Sequence, residues 1–347
     1  MTRALGMRRI LWPLSVLYSI VGRSRGWFYK HNIFRSRKLP GTVISVGNLT
    51  VGGTGKTPMV FWIAERLASE GKRTAILTRG YRGTKPGSTE DGKQGEPQSD
   101  EVALLRERLT GRVKIGVGAD RFKNGEVLAR HGTEWFVLDD GFQHLRLKRD
   151  ADIVLIDATD PFGGGATLPV GRLREPISAL RRASVVVITR AVEGSAPAVE
   201  TIIRRHTNCP IFFTSTKLES VLRVPQLAEP LPTQEWSRVS FMAFCGIGNP
   251  SAFFQDLQGW GFQLAGERRF HDHHVYTQPE ASELEDAAKS NGADALLCTE
   301  KDVWNLRHVQ FHALPVYCCR ISLELPGEEF RAAITEAVSR YQNRAAL

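Results

Sequence analysis

Residues 43–58, VISVGNLTVGGTGKTP, are the stretch around which this chain is organised. β-Branched residues lead into a turn-rich segment that ends in Gly-Gly-Thr-Gly-Lys-Thr, and residues 59–68 read as a helix. A strand, a glycine loop, a Gly-Lys-Thr sequence and a helix, in that order, are the context of a phosphate-binding loop. The stretch therefore predicts an α/β fold of the P-loop type that binds a nucleotide.

The chemistry of such a loop assigns a role to its residues. Glycines allow backbone N–H groups to turn inward around phosphate oxygens, and the N-terminus of the following helix adds partial positive charge. Lys56 is expected to reach the β and γ phosphates, and the Thr57 hydroxyl is expected to ligate Mg²⁺. The predicted ATP-binding residues are Gly52, Gly53, Thr54, Gly55, Lys56 and Thr57.

The loop departs from the common pattern at its first glycine. Counting back from Gly55, Thr50 holds that place, and the doubled Gly52-Gly53 instead resembles a GGxGK[ST] variant. The alternative is a glycine-rich turn with a chance Lys-Thr. The strand before the loop and the helix after it favour phosphate binding.

Composition limits the class of protein. At 347 residues, two domains are the better expectation, and 42% hydrophobic with 24% charged residues is ordinary for a soluble or peripheral protein. The net charge of +9 indicates anionic partners, although it also serves solubility. The five cysteines form no CxxC pair and no zinc spacing, which indicates core thiols in a reducing compartment. No cleavable secretory signal is expected.

Much of the positive charge lies in residues 1–39. Basic residues flank an apolar run at 10–21, and aromatic residues are interleaved with the second basic group. The run is too short to span a bilayer, which takes about 20 residues, and Pro13 interrupts it. We expect an interfacial helix on an anionic membrane surface; a helix packed on its own domain is the alternative. No nucleic-acid partner is expected, because no recognised nucleic-acid module follows.

From Gly41, strand-like runs alternate with helical stretches, which predicts a parallel sheet with helices on both faces. Function is then expected at the carboxyl ends of the strands. Strands are predicted at 74–77, 113–117, 135–138, 152–156 and 184–189, and in a second block at 240–245 and 293–299. Helices are predicted at 100–109, 121–131, 251–257 and 328–343.

Two less regular segments help to divide the chain. Residues 80–99 are rich in glycine and polar residues and form a long loop, which favours a functional or mobile segment. The pattern loosens again over 191–232, where prolines cluster at the end. The predicted parts are therefore a membrane-associating segment at 1–39, a nucleotide-binding core domain at 40–225 and a smaller α/β domain at 226–347.

Two acidic pairs stand at the ends of predicted elements. Asp139 and Asp140 follow the strand at 135–138, which is the usual place of the second carboxylate of a nucleotide site, where it orders Mg²⁺. A helix-capping pair is the alternative. Asp100 and Glu101 begin a helix and, read alone, form an ordinary acidic first turn.

Histidines and arginines supply further candidates. The segment 271–276, HDHHVY, suits proton transfer better than zinc, since its spacing matches no known zinc pattern; a surface cluster without function is the alternative. The proline-bounded loop 168–176 carries Arg172 and Arg174, and Arg121 follows a strand. Arginines in these places suit phosphate binding.

Taken together, the motifs resemble the tetraacyldisaccharide 4′-kinase (lipid A 4′-kinase) family. The resemblance covers most of the chain. The matching segments, in the order of the family, are SVGNLTVGGTGKTP, TRGYRG, SDE, GADR, LDDGFQH, LPVGRLREP, FCGIGNP, FHDHHVY and CTEKD. The resemblance implies a P-loop kinase of two α/β domains that moves the γ-phosphoryl of ATP to the 4′-hydroxyl of a tetraacyl glucosamine disaccharide 1-phosphate, giving lipid IV-A. It also implies Mg²⁺ and the cytoplasmic face of the bacterial inner membrane.

Carried onto this sequence, the resemblance names the residues of the reaction. Asp100 matches the catalytic aspartate that accepts the hydroxyl proton, and His273 matches the histidine that pairs with it, with His274 as the other candidate. Because 100 and 273 lie on opposite sides of the predicted boundary, the pair is expected to form between domains. Lys56 is expected to act on the transferring phosphate. Expected Mg²⁺ ligands are Thr57, Asp139, Glu175 and Glu101; expected phosphate or substrate contacts are Arg121, Arg172, Arg174 and Asp140.

Two other functions fit part of the sequence. A soluble P-loop kinase or ligase of a small metabolite accounts for the loop but leaves residues 1–39 unexplained. A nucleotide-switch metallochaperone uses the loop and the histidine cluster but gives Asp100 no role.

Overall fold

A computed structural model describes residues 2–80, 99–191, 196–227 and 230–346. Most of the loop predicted at 80–99, and with it the second half of the TRGYRG motif, lies outside the described residues. The described strands, in chain order, are β1 (Thr42–Asn48), β2 (Thr74–Thr78), β3 (Lys114–Val117), β4 (Trp135–Asp139), β5 (Ala151–Asp157), β6 (Val185–Thr189), β7 (Ile211–Arg223), β8 (Ser240–Cys245), β9 (Gln263–Arg269), β10 (Ala295–Thr299) and β11 (Val316–Glu324).

The described helices connect these strands. In chain order they are α1 (Thr2–Lys30), α2 (Lys56–Ser69), α3 (Asp100–Arg108), α4 (Arg121–Arg130), α5 (Ala196–Arg204), α6 (Thr233–Trp236), α7 (Pro250–Gly259), α8 (Gln278–Ser290), α9 (Glu300–Leu306) and α10 (Gly327–Ala346). A short 3₁₀ helix, Ile177–Arg182, precedes β6.

The chain forms two compact units. The first comprises the described residues of 2–80, 109–215 and 323–346, and the second those of 99–108 and 216–322. The three-part division predicted from the sequence stays a prediction. It differs from these units in the placement of two helices: α3 packs against α9 and so joins the second unit, and α10 packs against β5 and β6 of the first.

The first unit is built on a parallel sheet with strand order β3-β2-β4-β1-β5-β6-β7. β1 lies between β4 and β5, and α2 packs against β1, β2 and β4. Strands β1, β2, β5 and β6 are almost wholly buried, which suits their runs of β-branched and aliphatic residues. The predicted parallel α/β architecture is therefore confirmed.

The second unit has its own parallel sheet with strand order β11-β10-β8-β9. Helix α7 packs against β9, and α8 packs against β8 and β10. Two apolar clusters fill this unit, one around Phe244, Leu296 and Cys298 and the other around Phe241, Phe254 and Leu297. Four of the five cysteines are buried, and Cys209 is half-buried.

Several elements escaped the sequence analysis. Strand β9 lies at the edge of its sheet and is polar and mostly exposed, so it carries no apolar run. Strand β7 alternates exposed and covered residues over thirteen positions, within the segment where the sequence pattern loosens. Helices α5, α8 and α9 and strand β11 were also not predicted.

The N-terminal helix α1 runs through Pro13, so the proline does not end the helix. Its apolar side chains are largely exposed: Ile10 is 77% and Trp12 62% accessible. On another side, the Ser15 hydroxyl is buried and donates to the carbonyl oxygen of Thr167 at 2.8 Å. Within the described residues, no helix is long and apolar enough to cross a membrane.

Candidate active site

The glycine-rich loop leads directly into helix α2. Gly55 adopts a left-handed conformation with φ of 81°, which favours glycine, and the helix begins at the next residue, Lys56. The prediction from sequence started this helix three residues later, at Met59. The first turn of α2 therefore presents Lys56 and Thr57 at the helix N-terminus, where free backbone N–H groups favour an anion.

Residues at the end of β6 donate hydrogen bonds to the backbone of the loop. The Thr189 hydroxyl donates to the carbonyl oxygen of Thr54 at 3.3 Å, and Arg190 Nη1 donates to that of Gly53 at 3.2 Å. The same Arg190 nitrogen lies 2.5 Å from Asp157 Oδ2, and Arg190 has a left-handed backbone with φ of 54°. Nothing in the local sequence of 189–190 predicts this support.

Asp139 stands at the carboxyl edge of the sheet of the first unit. It is the last residue of β4 and pairs in register with Val46 of β1, so it stands at the carboxyl edge next to the strand that feeds the loop. Its Oδ2 accepts a hydrogen bond from the Thr78 hydroxyl at 3.0 Å. A carboxylate in this place is suited to Mg²⁺, directly or through water.

Asp140 is engaged by two cations. Arg174 Nη1 lies 2.9 and 2.7 Å from its two oxygens, and Lys56 Nζ lies 3.7 Å from Oδ1. Burial raises the pKa of this carboxyl, but Lys56 and Arg174 outweigh it and hold the pKa below its usual range. Lys56 and Arg174 are thereby held at the edge of the phosphate loop.

The other predicted residues of this region have partners of their own. Both oxygens of Glu175 accept from Arg182 at 3.0 Å, so Glu175 would have to leave this pair to ligate a metal. Arg172 pairs with Asp160. Backbone hydrogen bonds from Val51 and to Leu49 fasten the segment that carries these residues beside the loop, at 2.8 and 2.7 Å.

A cavity of about 420 Å³ opens in the first unit and is rich in arginine. Arg121 Nη1 lies 3.3 Å from His144 Nδ1. Burial, and then the charges of Arg121 and neighbouring arginines, lower the pKa of His144 to about 4, so the imidazole is neutral at pH 7. The surroundings suit an anionic group with an apolar neighbour. The lining residues are Arg25, Tyr29, Phe34, Arg79, Ala119, Arg121, His144 and Arg146.

A second constellation lies in the second unit, around Asp100. His273 Nδ1 is 3.0 Å from Asp100 Oδ2 and 3.2 Å from Oδ1. Burial raises the pKa of Asp100, but the hydrogen bond from His273 and the charge of Lys301 outweigh it and lower the pKa overall. The bond to Asp100 raises the pKa of His273 against the effect of burial. Asp100 is therefore an ionised carboxylate with an oriented imidazole beside it.

The pair forms within one compact unit, not between two as the sequence analysis expected. Helix α3, which carries Asp100, packs against α9 of the second unit. The expectation failed because it assigned α3 by its position along the chain, whereas packing assigns it to the later unit.

Helix α9 contributes two residues that the sequence analysis missed. Lys301 Nζ lies 3.4 Å from Glu101, 3.7 Å from Asp272 and 4.0 Å from Asp100. Asn305 Nδ2 donates to Asp100 Oδ2 at 3.4 Å. Four residues apart, the two share one helix face. The CTEKD motif marked this segment, but no local pattern indicates that it faces Asp100.

His274 takes a different place from His273. Its Nδ1 lies 3.0 Å from His271 Nδ1, its Nε2 lies 3.0 Å from Glu280, and its ring stacks on Phe270. Of the two candidates, His273 is the one in contact with Asp100. Among the described residues, no group of three or more histidine, cysteine, aspartate or glutamate side chains is arranged to hold a metal ion.

Comparison with known proteins matches this arrangement to one family. The family model described as Tetraacyldisaccharide-1-P 4'-kinase matches residues 7–339. The chain is 40% identical over 324 residues to a tetraacyldisaccharide 4'-kinase of Geobacter metallireducens, covering 91% of this chain and 94% of the relative. It is 40% identical over 311 residues to that of Geobacter sulfurreducens, covering 87% and 85%.

A solved structure agrees. The structure of LpxK from Aquifex aeolicus in complex with ATP matches with a TM-score of 0.72 and 30% identity, over 96% of this chain and 99% of that one. These matches confirm the resemblance inferred from the ordered motifs. The chain belongs to the tetraacyldisaccharide-1-P 4'-kinase family.

Proposed function

We propose that this chain transfers the γ-phosphoryl group of ATP to the 4′-hydroxyl of a tetraacyl glucosamine disaccharide 1-phosphate, in the synthesis of lipid A. Family membership supports the reaction, and the related Aquifex structure holds ATP. The observation that carries the mechanism is the Asp100–His273 pair, since a carboxylate oriented by an imidazole is what an alcohol nucleophile needs.

In the proposed reaction, Asp100 accepts the hydroxyl proton as the sugar oxygen attacks the γ-phosphorus. The bond between the γ-phosphorus and the bridging oxygen breaks, and ADP leaves. The transition state carries its charge on the equatorial oxygens, which Lys56 and the N–H groups of the glycine loop stabilise. His273 holds the carboxylate in place and stays close enough to share the proton.

Thr57 and Asp139 would hold Mg²⁺. Their hydroxyl and carboxylate oxygens are the hard donors that this ion prefers, and both stand at the carboxyl edge of the same sheet. When bound, the ion would neutralise charge on the phosphates. Glu175 is paired with Arg182, and Glu101 is paired with Lys301, so neither offers a free carboxylate.

The arginine-rich cavity supports an anionic acceptor, to which Arg121 would contribute its charge. The exposed apolar and aromatic side chains of α1 support docking on an anionic membrane surface, at the cytoplasmic face of the inner membrane. A tetraacylated substrate leaves a bilayer only at a large free-energy cost, so the enzyme has to reach it there. A small-metabolite acceptor would leave this helix without a role.

The role of Asp100 is tested by initial rates of phosphoryl transfer to the disaccharide 1-phosphate in mixed micelles. Asp100→Asn keeps the shape but cannot accept the proton, and we expect kcat to fall by roughly 10²–10⁴-fold. We expect the kcat of Lys56→Ala to fall as well. The matched controls, Asp286→Asn and Lys289→Ala, alter exposed residues of α8 and should keep the wild-type rate. An Asp100→Asn enzyme as fast as Asp286→Asn would contradict the assignment.

A further inference from the structure

We propose that Asp302 and Tyr276 are positioning residues for the reaction: together they fix the turn that holds His273 against Asp100. The inference rests on the proposed function, because it concerns the pair to which that function assigns the proton transfer. Asp302 lies in the CTEKD motif and Tyr276 in FHDHHVY, and the sequence assigned neither residue a role of its own.

Asp302 is a buried carboxylate with four donors. It is 1% exposed. Its Oδ1 accepts from the Gly246 N–H at 2.8 Å and from the Tyr276 hydroxyl at 2.9 Å. Its Oδ2 accepts from the Thr299 hydroxyl at 2.5 Å and from the Thr299 N–H at 3.3 Å. The carboxylate therefore joins three segments of the second unit.

Helix capping explains only one of the two oxygens. Asp302 is the third residue of α9, and Thr299 is the residue before that helix, so the bonds between them form a capping box. Such a box uses Oδ2 alone. The donors to Oδ1 come from the end of β8 and from the segment after His273, and neither belongs to the helix. The two hydrogen bonds to Oδ1 therefore indicate a second role for Asp302, apart from helix capping.

The backbone of Gly246 connects Asp302 to His273. Its N–H donates to Asp302, and its carbonyl oxygen accepts from the His273 N–H at 3.0 Å. A Cβ at Gly246 would lie 3.0 Å from the His274 Cβ and 3.1 Å from the His271 carbonyl oxygen, so the close approach suits glycine. Asp302 thus holds the backbone of Gly246 by one hydrogen bond, and Gly246 holds the backbone of His273 by another.

His273 needs such support. Its backbone is left-handed, with φ of 59°, and this conformation is costly for a residue other than glycine. Tyr276 fixes the other side of the turn, three residues on. Its ring is buried and packs edge-on against Phe244, while its hydroxyl reaches Asp302. The turn is thereby fastened on both sides of the strained residue.

Tyr276→Phe is the variant that tests this arrangement with least damage, because the ring stays and only the hydroxyl bond to Asp302 is lost. Tyr317→Phe is the matched control, since this tyrosine lies on β11 of the same unit and packs against the Phe241 cluster. Asp302→Asn is the second variant. The measurements are kcat, KM for ATP and the ¹⁵N shifts of the His273 ring in labelled full-length protein, assigned with His273→Gln.

For Tyr276→Phe we expect kcat to fall about tenfold with KM for ATP unchanged, because the base is misplaced while the phosphate loop is intact. The His273 ring shifts should move away from those of the Asp100-bound imidazole. Asp302→Asn should show the same changes, larger. Tyr317→Phe should match the wild type in all three measurements.

A Tyr276→Phe enzyme identical to Tyr317→Phe in kcat and in His273 shifts would overturn the inference. Asp100→Asn, measured in parallel, separates this result from a failure of the proposed function. If Asp100→Asn loses transfer while Tyr276→Phe is silent, the proposed function stands and the inference falls. If Asp100→Asn keeps the wild-type rate, the proton-transfer role proposed for the Asp100–His273 pair is wrong, and the inference that rests on it is overturned with it.

Discussion

The pKa of His144 depends strongly on the surroundings of this residue in the fold. An ordinary histidine has a pKa near 6.5, but burial and the neighbouring arginines lower that of His144 to about 4. The folded protein therefore keeps this imidazole neutral at a pH where the unfolded chain already protonates it. A neutral ring beside Arg121 offers nitrogen atoms for hydrogen bonding without adding to the positive charge.

This shift makes a prediction about acid stability. Between pH 6.5 and about 4 the unfolded chain binds up to about one proton more at this residue, so the free energy of unfolding falls as the pH falls. His144→Gln removes the titrating group and keeps a polar partner for Arg121. Urea unfolding at a series of pH values should give a shallower decline for this variant than for the wild type. An equal decline of the unfolding free energy with falling pH in the two proteins would contradict this prediction.

For single residues, the sequence predicted positions in the fold better than it predicted tertiary contacts. The glycine loop and Asp139 could be placed, because the order of strand, loop and helix fixes where they lie. Lys301, Asn305 and Arg190 could not. Each acts through a tertiary contact with a residue far away in the chain, and no local pattern encodes such a contact.

Among the described elements, α1 exposes the largest number of large apolar side chains. Its exposed large side chains include Ile10, Trp12, Leu14, Leu17 and Val21. Hydrogen bonds between Thr167 and both Ser15 and Ser19 fasten another side of the helix to its own unit. The two alternatives drawn from the sequence, a packed helix and a membrane-facing one, are thus compatible, since different sides of one helix serve them.

The prediction for α1 concerns binding to lipid vesicles. Trp12→Glu removes a large apolar side chain worth about 2 kcal/mol on burial, which corresponds to roughly 30-fold weaker binding. Gln255→Glu on α7 is the control for the added charge. Sedimentation with vesicles containing anionic lipid should show the loss for Trp12→Glu alone. Equal binding of the two variants would exclude this surface as the docking face.

The elements also show where sequence patterns suffice. Strand β8 was predicted to its observed bounds, and β2 and β4 to within one residue, because buried parallel strands are continuous apolar runs bounded by turns. The edge strand β9 and the long strand β7 carry polar residues among apolar ones. Their pairing partners stabilise them, and partners are not visible in a local window.

On the scale of the whole molecule, the chain combines two parallel α/β units with different chemistry. The first presents the glycine loop, Asp139 and the arginine-rich cavity; the second presents Asp100 and His273. The positive net charge of +9 suits a protein whose proposed ligands are a nucleotide, a phosphorylated sugar and an anionic membrane surface. The order of motifs along the chain identified the family, although the units interleave in sequence.

The proposed reaction phosphorylates the 4′-hydroxyl of the lipid disaccharide. The most direct test incubates the purified full-length protein with ATP and tetraacyl disaccharide 1-phosphate, and locates the new phosphate by ³¹P–¹H correlation. We expect one ADP formed per product molecule, with all of the new phosphate on the 4′-oxygen and no product from the 4′-deoxy analogue. Phosphate on another oxygen, or equal turnover of the 4′-deoxy analogue, would contradict it.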